Sequence, residues 1–144
     1  MNLFNFYGLI FVIIIMIPNV IFAVKYKDGF VNKWHNKYVE VAEQIGRFGC
    51  FLFMVINIPL TYYGYISNKY FILYIMVNSI LTVLYCLIWL FYFKKSSIFR
   101  ALSLSVIPSI MFLFSGIVSR YILLIVTAII FIPTHILISY KNAK

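Results

Sequence analysis

The chain is 144 residues long, 65% hydrophobic and only 10% charged, with twelve Lys and Arg against three Asp and Glu. That composition, with a mean hydropathy of +1.03, excludes an ordinary water-soluble domain, and the apolar runs leave no length for a separate soluble domain beside them. The formal net charge of +9 does not call for nucleic acid as a partner, because the basic residues sit in loops between apolar runs, where the positive-inside bias of membrane proteins accounts for them.

A hydrocarbon core of about 30 Å needs about 20 predominantly apolar residues in a helix, and runs at 4–24, 44–66, 70–93, 101–118 and 121–140 pass as crossings. The expected fold is therefore an all-α integral membrane protein, a five-helix transmembrane bundle forming a single domain over 1–144. The first run carries no Lys or Arg before Ile21. It lacks the basic n-region of a signal peptide, and Lys25 onward reads as a cytoplasmic loop, so it is expected to stay as an anchor.

The segment between the first two runs is the least ordinary. Lys25-Tyr26-Lys27-Asp28-Gly29 reads as a turn with Asp28 as a cap. Phe30, Trp34, Tyr38, Val41 and Ile45 then fall at helical spacing, which predicts an interfacial amphipathic helix over about 29–43. Lys33, Trp34, Lys37 and Tyr38 are its candidate surface, for anionic lipid headgroups or for a membrane or cytoplasmic protein partner.

Entering the second run, Glu43 and Arg47 stand four residues apart and can neutralise each other at the edge of lipid. Ionisable groups at such depth are costly and face a bundle interior or a wet cavity. Counting back from the inner ends of the other runs, Asn19, Ser103 and His135 are expected in the same slab of the inner leaflet. Asn19, Glu43, Arg47, Ser103 and His135 are therefore the candidate lining of a polar cavity, while Asn57 and Asn78 make a second pair nearer the outer side, suited to bonding helices together. Prolines at 18, 59, 108 and 133 place a kink in every run but the third. Ala101, Ser105, Ser109 and Gly116 give the fourth run a small-residue flank for close packing within the chain or across a homodimer.

Loop by loop, ten Lys and Arg fall on one side and two, Lys69 and Arg120, on the other. That split predicts an outside N-terminus and a cytoplasmic C-terminus in the cytoplasmic membrane. Both cysteines, Cys50 and Cys86, fall within runs on the reducing side and read as apolar filler. There is no CxxC, HExxH, Gly-rich phosphate loop or nucleophile elbow, so neither metal nor cofactor is expected and catalytic residues are not assigned.

The heavy use of Ile, 25 against five Ala, is what AT-rich codons produce. With Pro18-Asn19, Lys27-Asp28-Gly29-Phe30, Glu43-Gln44-Ile45-Gly46-Arg47, Asn57-Ile58-Pro59 and His135-Ile136-Leu137-Ile138-Ser139, the chain resembles, over nearly its full length, a group of small multi-span membrane proteins of low-GC Gram-positive bacteria. The resemblance implies membrane location and no particular chemistry. Three functional readings follow from the residues: an inner-leaflet polar site that binds or moves a small solute, lipid or proton; an accessory or bacteriocin-immunity-type protein acting through a membrane partner; and an intramembrane lipid enzyme with His135 as base.

Overall fold

The computed structural model of the chain describes residues 3–26, 34–94 and 97–143. Five helices account for most of them: α1 (Phe6–Lys25), α2 (Lys37–Val55), α3 (Asn68–Tyr92), α4 (Ile98–Val118) and α5 (Ile122–Ala143). No strand occurs among the described residues, which hold only two isolated bridges. α1, α3, α4 and α5 are each long and apolar enough to cross a membrane.

α2 differs from the expected element at both ends. It begins at Lys37, not near 29, because the Asn36 side chain accepts from the amides of Tyr38 and Val39 and so caps the first turn. Trp34 to Asn36 are non-helical, and 29–33, Lys33 included, lie outside the described residues. It ends at Val55, not at 66, because Pro59 cannot continue a helix and disfavours the helical conformation of the residue before it. The chain that follows forms a tied cap instead. Val55 O and Leu3 O accept from the amides of Asn5 and Asn57 at 2.6 and 2.8 Å. The Tyr121 hydroxyl donates to Ile56 O at 2.7 Å and accepts from the Ile58 amide at 3.0 Å.

The helices close into a ring in the order α1, α3, α4, α5, α2 and back to α1, with the tightest packing between α2 and α5 and between α4 and α5. α2 runs the full height of that ring. Its start lies beside the end of α5, where the Trp34 amide donates to Asn142 Oδ1 at 3.1 Å, and its last carbonyl meets the start of α1.

Three of the four prolines sit inside helices, at 18, 108 and 133. Each is followed by a small polar residue whose side chain bonds the carbonyl four positions back: Asn19 to Ile15 O at 3.1 Å, Ser109 to Ser105 O at 2.7 Å and Thr134 to Ile130 O at 2.8 Å. A proline leaves carbonyls of the preceding turn exposed to an apolar surround, and a neighbouring side chain that bonds locally limits the cost.

The two ends of the ring are chemically unlike. At one, the Arg100 guanidinium stands 5.1 Å over Phe22 and 5.6 Å over Trp89 and donates to the last carbonyls of α3, Tyr92 O and Phe93 O, both at 3.2 Å. At the other, Tyr62, Tyr65, Tyr74 and Tyr121 form an aromatic cluster with Phe53 and Phe71. Burial pushes the Tyr62 and Tyr65 hydroxyls above the usual phenol range, so this cap stays uncharged in its interior. Arg120, held with a left-handed backbone (φ +52°), ties the cap down by donating to Gly64 O at 2.8 Å and Tyr63 O at 3.1 Å.

Candidate functional site

The only acidic side chains among the described residues, Glu40 and Glu43, both stand on α2. Glu43 points inward, its side chain only 6% exposed. Its carboxylate takes Arg47 Nη2 at 2.6 Å on one oxygen and His135 Nδ1, from α5, at 3.3 Å on the other. One buried carboxylate thus joins a neighbour on its own helix to a partner across the seam. A buried carboxylate is tolerated when it is both paired and hydrogen-bonded, and both of its oxygens are occupied here.

α2 can approach α5 closely enough for this because it carries glycines where the two backbones cross. A Cβ at Gly46 would lie 2.7 Å from the Phe131 amide nitrogen and one at Gly49 2.5 Å from Thr127 Cγ2. One turn beyond Glu43 the buried face continues through Cys50, whose thiol donates to Thr127 Oγ1 at 3.7 Å, to Met54. The Phe131 ring stacks on His135, centroids 4.5 Å apart and 17° between planes, and fixes the imidazole from the opposite side.

The contact with Glu43 favours one tautomer of the histidine. A carboxylate only accepts, so a hydrogen bond across the 3.3 Å contact to Glu43 requires the ring proton on Nδ1, which in the neutral ring leaves the lone pair on Nε2. Arg47 and His135 keep 36% and 27% of their side-chain surface, so the outer face of the cluster presents a cationic fork and a proton-accepting nitrogen. Arg47 Nε is buried without a partner among the described residues.

Of the five residues expected to share one slab, three meet. Asn19 does not join them: its Oδ1 accepts from the Tyr85 hydroxyl at 2.9 Å, which places it in the α1–α3 seam, on a different side of the ring. Ser103 lies half-buried on α4 and makes none of the cluster's bonds. α1 and α4 flank the α2–α5 pair, but equal depth on neighbouring helices joins side chains only when the faces that carry them turn toward each other. On the expected docking surface, Trp34 is half-buried at the end of α5, with Lys141 Nζ 6.0 Å over its ring. Lys37 and Tyr38 are exposed, Tyr38 at 86%. Asn78 bonds Ser115 on α4 at 2.9 Å, and Ser105, Ser109 and Gly116 lie buried on α4, with Gly116 set against Ile125 of α5.

Residues that the spacing of charges did not single out are those that build the seam. Gly46 and Gly49 carried a readable signal, two glycines three positions apart beside the charged pair. Tyr121 carried none, since its role depends on chain brought back from 65 residues away. No group of three metal-ligating side chains occurs among the described residues. Compared with protein-family models, curated proteins and solved structures, the chain gives no match.

Proposed function

We propose that this is a five-span membrane protein of the bacterial cytoplasmic membrane whose α2–α5 seam holds a proton-binding site, His135 oriented by Glu43, that serves the binding or movement of a small solute from the lysine-rich side. Support for the fifth crossing comes from α2 running between the same two ends of the ring as the four apolar helices. The charge split of the loops supports a cytoplasmic C-terminus. The observation that carries the site is the shared carboxylate: Glu43, 6% exposed, bonded at once to Arg47 and His135.

Proton uptake at Nε2 changes the imidazole from a donor and acceptor into a double donor beside Arg47, and so changes which solutes the outer face can accept. Toward the tyrosine-rich end the seam is closed by Phe131, Ala128, Cys50 and Met54, each 2% exposed or less, so access in this conformation is from one side. Pro133 lies two residues before His135, and the weakened turn there is the natural place for α5 to bend.

The test is proton flux into vesicles loaded with a pH-sensitive dye under an imposed membrane potential. Vesicles with the wild-type chain are expected to conduct above empty ones, with Glu43→Gln and His135→Ala at background despite equal incorporation. Equal flux in all three proteins refutes the reading. A second reading, an accessory protein acting through a membrane partner, draws on the outward stripe of α2: Tyr38, Val41, Ile45, Phe48 and Leu52 are each at least half exposed. Cross-linking from Ile45 in native membranes, with a second copy or a different protein as the product, tests it.

A further inference from the structure

α1 is the most loosely packed helix of the ring, touching only α3 and α2, and the buried Tyr85 of α3 donates to Asn19. On the outer side Pro18 and the small Cys86 leave an open groove of about 560 Å³, walled by Ile21, Trp89 and Leu90. From Ile21 the apolar surface continues along α1 through Val20, Ile17 and Ile13, each about half exposed. Ile13 to Ile21 is roughly 12 Å of helix, so the groove opens onto an apolar strip down the outward side of α1.

The groove has one polar end. Lys94 stands on its rim, Lys25 Nζ lies 5.6 Å over the ring of Phe93 beside it, and Arg100 lies 5.6 Å over Trp89, which forms the groove wall. Neither α1 nor α3 carries an acidic residue. An apolar groove that ends at cations, with no acidic side chain on either helix that walls it, matches the acyl chain and negatively charged head of an anionic lipid.

We propose that this groove is a binding site for an anionic glycerophospholipid, with an acyl chain lying along α1 past Pro18 and the phosphate at Lys94 and Lys25. The site is separate from the Glu43 seam and stands or falls without it, since it needs only that α1 and α3 lie in a bilayer.

The chain has two tryptophans, and Trp89 lines the groove, so Trp34→Phe leaves a single reporter in place. The full-length W34F protein is reconstituted in phosphatidylcholine vesicles doped at a few mole per cent with a lipid brominated on its acyl chains. Brominated phosphatidylglycerol is expected to quench Trp89 at a lower mole fraction than brominated phosphatidylcholine, by about fivefold for each lysine engaged. Lys25→Gln with Lys94→Gln should bring the two lipids level. If those changes impair incorporation, Cys86→Leu, which fills the groove without altering charge, should reduce quenching by the anionic lipid. Equal quenching by both lipids in the W34F protein overturns the proposal. So does a brominated fatty acid that quenches as well as the anionic phospholipid, because the occupant is then a free carboxylate amphiphile.

Discussion

The α2–α5 seam and the α3–α4 seam solve the same problem, holding polar side chains between apolar helices, in opposite ways. At α3–α4 the contact is neutral: Asn78 donates to Ser115, both are fully buried, and the Asn78 carbonyl oxygen is left without a partner among the described residues. At α2–α5 the contact is ionic: two cationic or protonatable groups share one buried carboxylate, and part of the cluster remains open. Neutral interhelical bonds contribute modestly because the separated helices find other partners. A buried carboxylate has no such substitute, so removing any member leaves a charge or a donor stranded. The neutral seam is therefore glue, and the ionic seam is where chemistry can be placed.

The sharpest way to break this contrast is to force the ionic seam apart. Gly46→Ala sets a methyl against the α5 backbone, which cannot turn aside as a side chain can. A loss of about 3 kcal/mol is expected from this overpacking, read as a lowered denaturation midpoint in detergent; an unchanged midpoint would mean that the helices are not in backbone contact. Next in size is Glu43→Gln, which keeps the shape but offers one acceptor where two donors need one. About 2 kcal/mol should be lost, together with any proton flux, and a neutral result would remove the carboxylate from the account. Asn78→Leu, at the neutral seam, should cost about 0.6 kcal/mol, and a loss as large as that of Glu43→Gln would make the two seams alike. Smallest is Tyr38→Ser on the exposed face of α2, expected within about 0.5 kcal/mol of wild type. If its stability holds while a cross-linked product disappears, the outward stripe is a contact surface.

The four apolar helices were legible as uninterrupted runs, and the inward turn of Glu43 was legible from its pairing with Arg47 at the edge of lipid. The ends of α2 were not legible from hydropathy. A run that stays apolar through Ile58 and Leu60 reads as one span, yet Pro59 and the tyrosine hydroxyl that takes Ile56 O stop the helix eleven residues early, at Val55 against an expected 66. The start was written in Asn36, a good N-cap that the spacing of Trp34 and Tyr38 obscured.

The candidate site was half legible for a related reason. Depth along a helix can be counted, so Glu43, Arg47 and His135 were found; the direction a side chain faces on a neighbouring helix cannot, so Asn19 and Ser103 were grouped with them although Asn19 turns to Tyr85 of α3 and Ser103 makes none of the cluster's bonds. The prolines at 18 and 133 were legible as interruptions, and Asn19 as a candidate cavity residue. The polar side chains that follow them, Asn19 and Thr134, instead bond the carbonyl four residues back, a local role visible only once the helix has formed.

The most direct test of the ionic seam is the tautomer of His135. With His35→Gln leaving one histidine in the chain, nitrogen-15 NMR of the protein in lipid at alkaline pH distinguishes a proton on Nδ1 from one on Nε2. The bond to Glu43 predicts a proton on Nδ1 and a bare Nε2, changing to a mixture when Glu43→Gln removes the carboxylate. A proton on Nε2 in the protein with Glu43 intact would contradict the bond, and with it the proposed proton-binding site.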